Sequence, residues 1–154
     1  MGRKPTVKLN AVHLTGIPGI DVQHNELFFM SNALNSLKKE KASPDSACAA
    51  AQELITHFKL HCTIEEGLLD MIAFPRAEEH KAQHKKLLAM LRKNLKALTN
   101  SKTPDIGSFA HIFQDAMLAH ISDYDREYVT HIDNLIDVRK KYKITALRAR
   151  DLVK

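Results

Sequence analysis

Residues 43–75 read SPDSACAAAQELITHFKLHCTIEEGLLDMIAFP. Ala47, Ala50, Leu54, His57, Phe58, His61, Glu65 and Leu68 recur there at three- and four-residue steps, the repeat of one face of an α-helix. Ser43 suits an N-cap and Pro44 the first helical position. Phe74-Pro75 should end the run, because proline disfavours helix at the residue before it. His61 and Glu65 lie four apart on this stripe. One turn of the helix can therefore aim an imidazole and a carboxylate at one place.

The same period extends outward in both directions. Upstream, Ile20, His24, Leu27, Phe28, Ser31, Leu34 and Leu37 mark a first helix that ends in Lys38-Lys39-Glu40-Lys41. Residues 1–17 lack the period, in a region punctuated by Pro5, Gly16, Pro18 and Gly19, and are expected to form an extended arm. Downstream, a third helix is expected from about Arg76 to Leu98, with His80, His84, Leu87, Leu88, Leu91 and Leu95 inward. Asn100-Ser101-Lys102-Thr103-Pro104 is the next break. A fourth helix begins near Asp105, shows Phe109, Phe113, Met117 and His120, and continues past Asp125 through Tyr128, Ile132 and Ile136. Four helices with short connections fold most simply as an all-α, antiparallel up-down-up-down four-helix bundle with an N-terminal arm and a C-terminal helical extension. The expected divisions are the arm at 1–17, the bundle at 18–138 and a basic extension at 139–154.

Composition agrees. The chain has 154 residues, no Trp, and only five Gly and five Pro, too few turn formers for a hairpin-rich β fold. The net charge is +5. Much of the excess lies in Arg139, Lys140, Lys141, Lys143, Arg148, Arg150 and Lys154, against Asp151 alone. That run reads either as a contact for an acidic partner (a protein or a second copy), nucleic acid or a membrane surface, or as a solvated helix end. No aromatic interleaving or known motif points to nucleic acid. Two cysteines, Cys48 and Cys62, give no disulfide framework and suit a reducing cytoplasm. No apolar run approaches the roughly 20 residues of a membrane span, and no signal peptide is visible. Gly2 begins a formal match to the myristoylation pattern, with Pro5 an awkward neighbour.

Three spacings carry the chemistry: His61-x3-Glu65, His80-x3-His84 and His120-x4-Asp125, with a lone His24 before them. Each alone is weak. An HxxxH is a common accident in a chain with nine His, and Lys81 stands where a zinc protease needs Glu. His120 and Asp125 are irregular, because five residues advance about 500° along an α-helix. The Asp must then approach from the flank or from a distorted turn. Together the spacings are stronger, since the candidates lie in register with the apolar stripes. Burying so many ionisable groups without a partner would be costly. A metal pair resolves that cost, and imidazole with carboxylate suits iron, zinc or manganese. Cys62 points about 100° away from His61 and is expected as a small packed residue.

The ordered set resembles the hemerythrin family: a lone His on the first helix, H-x3-E on the second, H-x3-H on the third and H-x4-D on the fourth. Gly16-Ile17-Pro18-Gly19-Ile20-Asp21-Val22-Gln23-His24 is similar to that family's start of the first helix. His120-Ile121 with Asp125 and Tyr128 is similar to its fourth-helix motif, and Phe74-Pro75 to its aromatic-Pro turn. The likeness covers about residues 15–130. His57-Phe58 matches the family's His-Phe pair, but that register offers His61 where Glu is needed. The register of His61 and Glu65 supplies the Glu, which leaves His57 as a partner behind the ligands or a packed or surface residue.

The resemblance implies two iron ions. His80, His84 and His120 would hold one, His24 and His61 the other, with Glu65, Asp125 and an oxo or hydroxo group bridging. Dioxygen would bind at an open position on the second iron. The implied function is reversible dioxygen binding for storage, delivery or sensing. The alternatives are a di-iron redox enzyme acting on peroxide or nitric oxide, and an oxygen- or redox-responsive signalling module. Five imidazoles against two carboxylates favour binding over oxidative chemistry, because anionic ligands stabilise high iron valence. Phe28, Ile64, Leu87, Met117 and Ile121 are the candidates to line a dry oxygen pocket. The chain departs from the family in lacking a Trp near the site and in carrying Cys62 after the second-helix His.

Overall fold

The computed structural model describes residues 8–141. Residues 1–7, with the Gly2 pattern, and 142–154, with most of the basic extension, lie outside that range. A short 3₁₀ turn at Ala11–His13 is followed by α1 (Pro18–Lys39), α2 (Pro44–Met71), α3 (Ala77–Asn100) and α4 (Ile106–His120). A π-helical segment, Ile121–Asp125, then leads into α5 (Arg126–Lys141). The last three form one rod, so the protein is a four-helix bundle with a C-terminal extension. No strand occurs among the described residues.

The ends of the helices follow local chemistry. Ser43 Oγ accepts the Ser46 amide ahead of α2, with Pro44 in its first turn. Asp105 likewise accepts the Ser108 amide ahead of α4. Ile17 offers α1 no side-chain cap, and the arm is tied down from inside the helix instead. The Asp21 carboxylate accepts the amide and hydroxyl of Thr15, both at 2.8 Å, and the Gly16 amide. Gly16 has φ 77°, where a side chain would strain the turn. Residues 8–17 are thus a pinned segment with a 3₁₀ turn rather than a simply extended one, and the Arg126 guanidinium also donates to the Val12 carbonyl.

Two C-termini end in left-handed residues that are not glycine: Lys41 at φ 52° after α1 and Ala73 at φ 49° after α2. The next amides reach back, Ala42 to the Leu37 carbonyl and Phe74 to the Leu69 carbonyl, each closing a six-residue cap. The second cap buries Phe74 against Leu69 and Tyr128.

α1 packs on α2 and α4, α3 packs on α2 and α4, and α2 and α4 also touch across the bundle. The main apolar core fills the part of the bundle lined by Leu27, Leu54, Phe58, Leu91 and Phe113. A smaller cluster closes the other end around Leu69, Phe74 and Tyr128. The candidate ligands form a polar layer between the two. Ile136, expected on the buried stripe, is 44 % exposed, because α5 runs past the end of its neighbours and residues 133–141 are all solvent-facing.

Candidate metal centre

All four rods contribute to that polar layer: α1 brings His24, α2 His61 and Glu65, α3 His80 and His84, and the fourth rod His120 and Asp125. None of the seven is more than 3 % exposed. The π segment resolves the awkward spacing of the last pair. Its hydrogen bonds run from residue i to i+5, as from the Arg126 amide to the Ile121 carbonyl, so it absorbs an extra residue in one turn. Asp125 comes back to the face of His120 through a distorted turn, one of the two routes the spacing left open.

The donor atoms converge on two adjacent positions. His80, His84 and His120 bring their Nε2 atoms to 3.1–3.2 Å of one another. Glu65 Oε2 lies 3.1 Å from His84 Nε2, 3.3 Å from His80 Nε2 and 3.5 Å from His61 Nε2. Asp125 divides its oxygens, with Oδ1 3.1 Å from His120 Nε2 and Oδ2 3.4 Å from His24 Nε2. Two groups could therefore hold an ion, Glu65 with His80, His84 and His120, and Glu65 with His24 and His61. Glu65 belongs to both, and Asp125 reaches from one to the other.

Hydrogen bonds behind the donors fix their orientation. His61 Nδ1–H donates to Gln23 Oε1 and His84 Nδ1–H to Glu66 Oε1, both at 2.9 Å. Each bond leaves the Nε2 lone pair facing inward. Tyr128 donates its hydroxyl to Glu65 Oε1 at 2.6 Å, which leaves Oε2 for the centre. Phe58 lies against the rings of His61 and His84, and Tyr124 stacks on His120.

The electrostatics make the cluster a cation receptor. Burial lowers the pKa of His24 to about 4, His61 to about 3 and His120 to about 4, so these rings are neutral donors at pH 7. Burial pushes Glu65 upward, but the neighbouring imidazoles of His80 and His84 outweigh it and hold the carboxyl well below its usual range. Burial lowers His84 too, yet its contacts with Glu65 and Glu66 raise it overall. Asp125 is pushed well above the ordinary carboxylate range by burial, and neither of its oxygens has a hydrogen-bond partner among the described residues. His24 Nε2 and His61 Nε2 are orphaned in the same way. Lone pairs facing lone pairs at this depth are unfavourable unless a cation lies among them. The fit is geometric as well. Nitrogens 3.1–3.2 Å apart are close enough for all three to reach one cation at the ordinary metal–imidazole distance of roughly 2.1 Å.

The remaining expected residues separate. Phe28, Met117 and Ile121 are buried and Leu87 is half-buried. Ile64 departs from the expected lining at 44 % exposed, because it precedes Glu65 and so points about 100° away from it. It lines the outer wall of a cleft of about 150 Å³ with Gln23, Leu27, Leu60 and His61. His57 is a surface residue whose Nδ1–H donates to the Glu53 carbonyl. Phe58, three residues before His61, takes the inward place. Cys62 is packed in the apolar core, where burial raises its thiol pKa. The supporting roles of Gln23, Glu66, Tyr124 and Tyr128 escaped the sequence reading. The signal for three of them was adjacency: Gln23 precedes His24, Glu66 follows Glu65, and Tyr128 lies three residues past Asp125 on the same helical face.

No curated protein matches the chain. The family model described as the hemerythrin HHE cation binding domain matches residues 15–132, a span that contains the seven donors and every residue that supports them. On the strength of that match, which covers most of its length, the chain belongs to the hemerythrin HHE cation-binding family.

Proposed function

We propose that the centre holds two iron ions and binds dioxygen reversibly, for storage, delivery or sensing. The observation that carries this reading is the donor balance, five imidazoles to two carboxylates at two adjacent buried positions. His80, His84 and His120 would hold one ion and His24 and His61 the other, with Glu65 and Asp125 available to both. An iron pair, when bound, supplies the electrons that dioxygen takes up and returns.

The chain's own part is to keep that exchange reversible. Neutral imidazoles stabilise the lower iron valence better than a carboxylate-rich set would. Phe28, Met117 and Ile121, buried beside the ligands, exclude water and slow the escape of charged oxygen species. Tyr128 holds Glu65 from behind and keeps its inner oxygen directed at the ions. No helix among the described residues is long and apolar enough to cross a membrane. The free thiols Cys48 and Cys62 accord with a cytoplasmic setting.

The test is anaerobic loading with ferrous iron, then air, then removal of oxygen. Two iron ions per chain and a visible absorption band that appears with oxygen and fades without it are expected. Immediate, irreversible oxidation would refute the carrier reading in favour of redox chemistry.

A further inference from the structure

The two halves of the centre are not supported alike. Of the five imidazoles, His24, His80 and His120 have buried Nδ1 atoms without a partner among the described residues. His84 and His61 alone are held from behind, one in each half. Their two bonds have the same length, 2.9 Å, but different chemistry. The acceptor behind His84 is the Glu66 carboxylate, and the acceptor behind His61 is the Gln23 amide oxygen. An anionic acceptor draws the Nδ1 proton more strongly and makes Nε2 a better donor to a cation. The Glu66 side chain is 31 % exposed and lies behind His84, whereas Glu65 is fully buried in front of it.

We infer that Glu66 and Gln23 make the two metal positions unequal. The position faced by His80, His84 and His120 fills first with a divalent cation, and the position faced by His24 and His61 fills second and more weakly. This inference rests on the paired-metal reading above and adds an order of filling to it. Neither residue reaches a cation. Both are positioning residues that act through an imidazole. The extra imidazole of the first half would favour the same order, so the variants must leave the ligands intact. Glu66→Gln does so, because glutamine offers His84 an acceptor of the same shape without the charge. Gln23→Glu performs the converse change behind His61.

The full chain, stripped of metal by a chelator, is titrated with cobalt(II) in the presence of a competing chelator, and bound cobalt is followed by its visible absorption. The wild type should take up two equivalents in two steps separated by at least about tenfold. Glu66→Gln should weaken the first step about 10–100-fold and leave the second within about threefold. Gln23→Glu should strengthen the second step by about tenfold or more with little change in the first. A merely structural role would weaken both steps together. Two equivalents with neither step moved by Glu66→Gln, or with both moved equally, would overturn the inference and leave the paired centre standing. Fewer than two equivalents in the wild type would overturn the paired reading and this inference with it. Melting of the metal-free variants checks their folding, and Gln23→Glu carries the test alone if Glu66→Gln does not fold.

Discussion

Replacing Tyr128 by Phe removes one oxygen atom from a place where nothing can substitute for it. The hydroxyl donates to Glu65 Oε1 at 2.6 Å, and both residues are completely buried. The ring stays, with its contacts to Phe74 and His80. The change therefore reports on the hydrogen bond rather than on packing. A bond to a charged acceptor contributes about 1.5–3 kcal/mol, and water cannot reach the carboxylate to take the hydroxyl's place. For 154 residues the unfolding entropy is about 0.3 kcal/mol/K, so the metal-free variant should melt about 5–9 °C below the wild type. In the loaded protein, loss of a group that orients a ligand should weaken metal binding about 10–100-fold. Tyr124→Phe is the control. Tyr124 also stacks on a candidate ligand, His120, but through its ring, which Phe retains, so a shift under about 0.5 kcal/mol is expected. Differential scanning calorimetry with chelator, and then with metal, reads both effects. A metal-free Tyr128→Phe protein that melts within about 1 °C of the wild type would refute the argument that this bond holds Glu65.

Acid should unfold the metal-free protein early. The pKa values of His24, His61 and His120 are about 4, 3 and 4, below the roughly 6.5 of an unfolded chain, so the unfolded state binds more protons as pH falls from about 6.5 to 4, and for His61 to about 3, and stability is lost in that window. At pH 5 each contributes a loss of about 2 kcal/mol; the raised groups His84 and Asp125 offset part of it, and a urea midpoint that does not fall between pH 7.5 and 5 would contradict the balance. Lys41→Gly relieves a left-handed residue at φ 52° and should raise stability by about 0.5–1 kcal/mol by chemical denaturation, whereas a loss would mean that the Lys41 side chain carries the cap. His61→Ala should remove one of the two bound metal equivalents while His57→Ala removes none, as counted by elemental analysis; the reverse result would show that the register of α2 is misread.

The features that could be read from the sequence are those with local causes. Ser43-Pro44 and Asp105 start helices because a side-chain oxygen takes an amide three residues on or a proline ring presets the first turn, and both act within one turn of chain. That His61 rather than His57 faces inward was also legible, because only that register supplies a Glu one turn later. The partners behind the ligands were not. Gln23 meets His61 across 38 positions and Glu66 meets His84 across 18. Such pairings depend on how far each helix rotates in the bundle, and no periodicity encodes that. The charged run after Leu37 and Phe74-Pro75 marked the ends of α1 and α2, but the left-handed residues that close them, Lys41 and Ala73, carry no glycine to signal that conformation.

The π segment shows how one hidden feature can organise several visible ones. On an unbroken α-helix, Asp125 would sit about 140° around from His120 and Tyr128 about 80°, while Tyr124 would take the inward place. Absorbing one residue in the π turn rotates everything after it back by about 100°. Asp125 then falls within about 40° of His120 and Tyr128 within about 20°, and both reach the centre, Asp125 toward the imidazoles and Tyr128 onto Glu65. Tyr124 is turned to the flank, half-buried and stacked on His120. A candidate ligand, Asp125, and the residue that steadies Glu65 are thus placed by the same extra residue. The one sign of it in the sequence was the spacing that fitted a regular helix least well, His120-x4-Asp125. In a chain whose other donor pairs obey the α-helical repeat, that misfit marks where the backbone itself had to change to complete the centre.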